Sequence, residues 1–283
     1  MSSKIKTELL DWMGDDLAVA NAARVSFDKQ SSYEYSCACG NDPCPDGLLC
    51  FSMPKLAERD KKLIQYLGRG MTSQELDDII VELSNTVDQN RIEQLLWKFR
   101  RTPEHLAPFG HCYMKFRVHA PVFVARQLVK HKFLRMSEVS RRYVSSSPSF
   151  YSPDKWRGKA KNNKQGSEGT IDLSKFNLSG EGVVSPDGWE ASLMHGEYNT
   201  RGTIRRHYQA LLDAGVAPEM ARMILPQCMM TTWIWSGSLD AFANMCNLRI
   251  DDHAQEESRM VAQAISKEAS ELFPVSWEAL TRK

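Results

Sequence analysis

Between residues 112 and 119 the chain alternates. Cys112, Met114, Phe116 and Val118 are apolar, while Tyr113, Lys115, Arg117 and His119 are polar or amphipathic. A period of two sends successive side chains to opposite faces, so the stretch predicts a half-buried β-strand. Pro121 follows where a first helical turn tolerates a missing N–H. Val122, Phe123, Val124 and Ala125 then open an apolar helix, expected to carry Arg126, Gln127, Lys130 and His131 in its last turns. Arg126 and Lys130, four apart, would share a face.

Helical spacing recurs on both sides of this unit. Leu17, Ala20, Ala23 and Arg24 mark a helix after a short opening strand within residues 1–29. Leu56, Leu63, Ile64 and Leu67 mark another. After the Gly68 to Gly70 turn, Thr72 or Ser73 is placed to cap a third, with Leu76, Ile79, Ile80 and Leu83 inward. Ile92, Leu95, Leu96 and Phe99 mark a fourth. Residues 190–213 read as an amphipathic helix through Tyr208, Leu211 and Leu212, ended by Gly215. Pro218 opens the next helix, which carries Arg222, and Pro226 closes it. Met229 to Trp235 predicts a buried strand, Phe242 and Met245 a helix ending near Asn247 and Arg249, and His253 to Phe273 a last helix. Residues 144–188, rich in Ser, Gly, Pro and Lys, read as loop with short strands such as Ser149-Phe150-Tyr151. Lys164 to Ser167 is either a substrate cover or plain surface loop.

The 283 residues allow one large domain or two small ones, and 42% apolar residues suffice for a substantial core. A net charge of +1 gives no general attraction to nucleic acid or to a membrane surface, so anion binding must come from local clusters. No basic-then-apolar leader and no apolar run of about 18 residues is found, and a cytoplasmic protein is expected. Seven cysteines, an odd number, argue against a full disulfide framework. Cys37, Cys39, Cys44 and Cys50, among turn-forming Gly40, Pro43, Pro45 and Gly47, are either the four thiolates of a structural zinc site or reduced thiols in a surface loop.

One such local cluster stands out. From Arg126 to Tyr143 the chain holds Arg126, Lys130, His131, Lys132, Arg135, Glu138, Arg141 and Arg142, interleaved with Ser137 and Ser140. Cations mixed with hydroxyls and one carboxylate suit a phosphorylated ligand that also carries a polar ring. Ser140 has no base visibly paired with it and reads as a ligand contact rather than a nucleophile.

This stretch resembles the signature of flavin-dependent thymidylate synthases: Arg-His-Arg, seven residues, then Ser. The same frame here reads Lys130-His131-Lys132, seven residues, then Ser140. Further blocks resemble the family in its order: Asn21 to Phe27, Ala120 to Gln127, Lys164 to Ser167, Gly215 to Glu219, Ala221 to Pro226 and Asn247 to Gln255.

The resemblance implies an α/β (α+β) fold: a central antiparallel-rich sheet flanked by helices, with residues 1–283 forming one domain. Insertions are expected at about 30–55, the Cys-rich loop, and 70–101, a helical pair. It implies reductive methylation of dUMP to dTMP, with FAD as cofactor and with NADPH and methylenetetrahydrofolate as co-substrates. The protein would be a homotetramer with active sites between subunits. Gln127, Leu128, Val129, Lys130, Glu138, Val139, Ser140, Arg141, Arg142, Arg222 and Arg249 would line the pyrimidine deoxynucleoside monophosphate, Arg249 stabilising the ionised ring. Ala107, Lys130, His131, Lys132, Glu138, Ser238, Leu239, Asp240 and Asn244 would meet the flavin. The chain departs from the family at Lys130 and Lys132, which keep charge but lose the guanidinium's planar fork. It departs also at Ala107 and Gly110, where the family has a hydroxyl and a carboxylate. Two rivals stay open: hydroxymethylation of dUMP or a related nucleotide such as dCMP, and a zinc-stapled nucleic-acid-binding protein on a retired enzyme fold, supported by the basic Lys155 to Lys164.

Overall fold

The computed structural model describes residues 4–37, 52–101, 104–160, 166–171 and 193–281. Four strands form the main sheet: β1 (Lys6–Met13), β4 (Tyr113–Pro121), β8 (Met230–Ser238) and β5 (Leu134–Glu138), side by side in that order and antiparallel throughout. Two small pairs stand apart, β2 (Glu34–Cys37) with β3 (Ser52–Lys55) and β6 (Gly158–Lys159) with β7 (Ser167–Glu168).

The alternation predicted for residues 112–119 is present in β4. Met114, Phe116, Val118 and Ala120 are buried, as are Trp233 and Trp235 beside them on β8. Onto this face pack α1 (Asp16–Arg24), α8 (Leu239–Arg249), α9 (Glu256–Leu272) and α10 (Pro274–Leu280). Phe242 of α8 meets Phe116 and Trp235 edge-on, with ring centroids 5.3 and 5.5 Å away. These offset rings gain quadrupole attraction beyond their buried area. The helix predicted over His253 to Phe273 is α9, and a further, unpredicted helix follows it: Pro274 cannot continue α9 and instead opens α10. Buried Asp16 accepts hydrogen bonds from the amides of Val275 and Ser276, at 2.9 and 2.8 Å, so the first helix caps the last.

Arg24 donates to Asp60 on α2 (Glu58–Arg69) at 2.8 and 2.5 Å, tying that helix to α1. Gly68 lets α2 approach α10 closely: a Cβ there would lie 2.9 Å from that of Ala279. Thr72 caps α3 (Ser73–Asn85) and Glu75 closes the reciprocal bond, the capping box that Thr72 foreshadows. With α4 (Gln89–Arg101), α3 buries a small cluster of its own: Met71, Ile79 and Leu95.

Four elements differ from expectation, and all bear on the site. Helix α5 spans only Val122–Leu128, so Lys130 and His131 lie in a turn beyond it and do not share a helix face with Arg126. Pro121 ends β4 rather than entering the helix. Residues 134–138, read as part of a charged stretch, form edge strand β5, and β8 continues past Trp235 to Ser238. The remaining helices, α6 (Leu193–Asp213) and α7 (Pro218–Ala221), fall where expected. A short 3₁₀ turn at Arg222–Ile224 extends α7. Among the described residues, no helix is long and apolar enough to cross a membrane.

Of the four thiols proposed for zinc, Cys37 ends β2, and Cys39, Cys44 and Cys50 lie outside the described residues, as do Lys164 and Gln165. Among the described residues there is no cluster of His, Cys, Asp or Glu suited to a metal.

Candidate functional site

The site is built around β5 and the turn that leads into it. Pairing of Leu134 with Gly237 and of Glu138 with Trp233 anchors the two ends of β5 on β8, about 13 Å apart. The turn 129–133 therefore sits beside Ser238 and the start of α8. The far end, Glu138 to Arg142, sits toward Met230 and the segment carrying Arg222.

At the first corner Arg249, the last residue of α8, is half-buried. Its Nε donates to Nε2 of His131 at 2.9 Å, and a terminal nitrogen reaches the backbone oxygen of Gln127 at 3.5 Å. An Nε2 that accepts from a guanidinium carries no proton, which assigns the imidazole hydrogen to Nδ1. Burial, then the adjacent Arg249 charge, pushes His131 down to about 4. Burial also lowers the pKa of Arg249 from its ordinary value. Gln127 is held in turn: Ser258 Oγ donates to its carbonyl oxygen at 3.0 Å, and its amide nitrogen bonds to Gln255. Gln127, Asn247, Arg249, Asp251, His253 and Gln255 line a cavity of about 550 Å³.

A second cavity, about 490 Å³, lies at the far end of β5. It is lined by Arg126, Glu138, Val139, Ser140, Arg141 and Arg222, with apolar Val122, Met223 and Met229. Thr231 Oγ1 donates to Glu138 at 2.8 Å, so the carboxylate is aimed by β8 rather than by an arginine. Arg141 donates to the backbone oxygen of Ser146. Arg142 pairs loosely with Glu219 at 3.6 Å, and its amide takes the Ser140 hydroxyl as acceptor at 3.3 Å. Arg222 is exposed, and among the described residues its Nε donates to the oxygen of Glu219 one turn back, at 3.3 Å. Arg126 has no ion-pair partner among the described residues. Guanidiniums around an open cavity make an anion site.

The residues expected at the flavin lie near the Ser238 end, except Glu138, which β5 carries to the far end and into the Arg222 cavity. Lys130 and Lys132 are exposed in the turn. Ala107 opens a 3₁₀ turn, Ala107–His111, and the Leu239 amide donates to the oxygen of Cys112 at 2.9 Å, just past that turn. Asp240 and Asn244 line a small polar cavity of about 230 Å³ with Glu104 and Asn247. One carboxylate oxygen of Asp240 is buried without a hydrogen-bond partner. A Cβ at Gly110 would meet nothing within 4 Å, so the place of the family's carboxylate side chain is open space.

The expected residues thus fall into two groups, not one. Gln127 and Arg249 line one cavity, with His131 bonded to Arg249 behind it; Glu138, Val139, Ser140, Arg141 and Arg222 line another. The two share no lining residue, and a cavity of about 680 Å³ borders both, through Gly166 and Gln255 on one side and Pro226 on the other. Leu128 and Leu239, expected at the nucleotide and the flavin, are fully buried in the core and expose neither side chain nor backbone. Sequence reasoning passed over Ser258, Gln255 and Thr231 as positioning groups. No periodicity marks them; only Gln255 fell within a resembling block.

The family model described as thymidylate synthase complementing protein matches residues 8–275. The chain is 31% identical to a flavin-dependent thymidylate synthase of Thermus thermophilus over 271 residues, covering 96% of this chain and 73% of that protein. It is 31% identical to that of Kosmotoga olearia over 274 residues, covering 96% and 87%. Among solved structures, it is similar to the UMP/dUMP methylase PolB from Streptomyces cacaoi bound with 5-Br dUMP. That likeness has a TM-score of 0.63 at 26% identity and covers 99% of this chain and 96% of that one.

Proposed function

We propose a reaction from one premise: the chain belongs to the flavin-dependent thymidylate synthase family and is a flavin-dependent one-carbon transferase. The reaction is reductive methylation of dUMP at ring C5, with methylenetetrahydrofolate as carbon donor, NADPH as reductant and FAD as the flavin. The observation that carries this reading is the placement of Arg249 against His131 and the Gln127 backbone, in a cavity that also holds the Gln127 amide.

A uracil ring becomes nucleophilic at C5 when negative charge on N3 and its flanking carbonyls is stabilised. A guanidinium fixed in advance does this without reorganising during the reaction. His131 and Gln127 fix it here. Because His131 is neutral, it orients Arg249 without adding a second positive charge. Gln127, locked by Ser258 and Gln255, presents its remaining amide hydrogen to a ring carbonyl. Arg222, Arg126, Arg141 and Ser140 take the phosphate, and Glu138, aimed by Thr231, faces the sugar and ring.

The chain's residues also fit a flavin. The buried, unpartnered oxygen of Asp240 suits a donor from the ribityl chain or ring, the space at Gly110 admits a ligand group, and Lys130 and Lys132 suit a diphosphate. When bound, the flavin supplies the hydride that completes the methyl group. Gln127 and Arg249 in one cavity of a copy, and Glu138, Val139, Ser140, Arg141 and Arg222 in another, support a homotetramer in which one copy's Arg249 corner closes on another's Arg222 corner. The tetrathiolate zinc staple is a separate proposal, checked by metal content of the purified protein.

Mass analysis of the nucleotide formed from dUMP, with donor and NADPH present, tests the reaction. A gain of one CH2 group is expected, and no product from dCMP. A product heavier by CH2O instead, or none, contradicts it.

A further inference from the structure

Phe133 occupies a place where a phenylalanine is out of character. Its φ is +64°, in the left-handed region that is strained for a bulky L-residue and normally falls to Gly or Asn. Its side chain is not repaid by burial: the residue is 81% exposed. The conformation sits against the neighbouring strand. Gly237 pairs with Leu134, and a Cβ at 237 would lie 2.9 Å from the Phe133 oxygen and would also overlap the Leu134 side chain. The bare backbone of Gly237 lets β5 start this close to β8, directly after the residue at positive φ.

The position of that ring gives it a use. It follows Lys132 directly and stands beside Gly237 and Ser238, where the turn meets the start of α8. Lys130 and Lys132 bring ammonium groups to this corner but no flat surface. A guanidinium can both pair with phosphate and stack on a ring, whereas an ammonium is a point charge. A chain with lysines at these positions keeps the electrostatics and lacks the stacking face; Phe133 is an exposed π-face in the same turn.

We infer that Phe133 is a flavin-binding residue whose ring stacks on a planar group of the dinucleotide, with Lys130 and Lys132 on its diphosphate. The inference rests on the flavin-dependent reading above and adds a residue to it. The rival occupant is an apolar pocket on a second copy of the chain, and the test separates the two.

The experiment titrates FAD into flavin-stripped wild-type, Phe133→Gly and Phe133→Tyr proteins, following flavin fluorescence, with melting temperature and sedimentation measured on the same samples. Loss of one stacked ring predicts about a tenfold or greater rise in Kd for Phe133→Gly. Phe133→Tyr, which keeps the ring, stays within about threefold of wild type. Flavin-free Phe133→Gly melts no lower than wild type, because glycine relieves the left-handed backbone, and it sediments unchanged. Weakened binding without loss of stability or assembly is what a structural role alone would not produce. Unchanged FAD affinity in Phe133→Gly overturns the inference, and so does a change of assembly that accompanies the loss of flavin. A wild-type protein that takes up no flavin overturns the reaction reading itself, a result distinct from either.

Discussion

The two ends of β5 hold arginines of opposite character. Arg249 is half-buried, bonded to His131 and to the Gln127 backbone, and backed by the Ser258–Gln127–Gln255 chain. Arg222 stands exposed, tied among the described residues to a backbone oxygen in its own turn, in a cavity it shares with Arg126 and Arg141. The first corner is preorganised before any ligand arrives; the second is open and is completed by what enters it. A preorganised charge suits the step in which charge develops, because only interactions stronger in the transition state raise the rate. An open set of cations suits an anion already fully charged when it binds. Under the proposed reaction, chemistry falls to one end of this short strand and binding to the other.

Removing each arginine should expose this division. Arg249→Ala should lower kcat by about 100- to 1,000-fold, the usual cost of losing a donor aimed at developing charge, with a smaller change in KM. Steady-state kinetics against dUMP measures both. A change confined to KM would make Arg249 a mere binding contact and erase the contrast. Arg222→Ala should do the reverse, raising KM for the nucleotide by about 10- to 100-fold, the worth of a charge-assisted bond to phosphate, and leaving kcat within a few-fold.

The smallest effect is on stability and belongs to the first corner alone. His131 titrates near 6.5 in an unfolded chain and is pushed down to about 4 in the fold. Between those values the unfolded state binds a proton that the folded state refuses, so stability falls as pH drops from about 6.5 toward 4 and is flat above. Allowing for partial solvent exposure, the loss is on the order of 1–2 kcal/mol. Urea unfolding at pH 7 and pH 5, compared with His131→Gln, isolates it. The glutamine carbonyl keeps an acceptor for Arg249 but cannot titrate, so the variant's pH slope should be shallower by that amount.

Legibility in the sequence followed the strength of local signals. The β4 alternation, the Thr72 cap and the Gly215 stop were visible because each is set within a few residues. Strand β5 was hidden: Leu134 and Met136 face inward on period two, but Arg135, Ser137 and Glu138 around them look like part of a charged run. The early end of α5 is imposed from outside, by the pairing of Leu134 with Gly237 across the sheet, and no propensity in Val129 to Lys132 announces it. Arg249 and His131 are 118 residues apart in the chain, so their contact belongs to tertiary structure. Resemblance named both residues and could not say that they touch. Nor could it say that the nucleotide residues divide into two cavities, since a motif preserves identity and order but not which copy of the chain faces which.

That division is tested most directly by mixing two impaired variants. Arg249→Ala and Arg222→Ala are each expressed alone and then co-expressed, so that oligomers contain both chains, and dTMP formation is measured at low dUMP, where both losses show. If each site joins one copy's Arg249 corner to another's Arg222 corner, random mixing places two intact halves together in about one quarter of the sites, and about that fraction of wild-type activity returns. Activity no greater than that of the variants assayed separately would contradict the division, by placing both arginines of each site in a single copy.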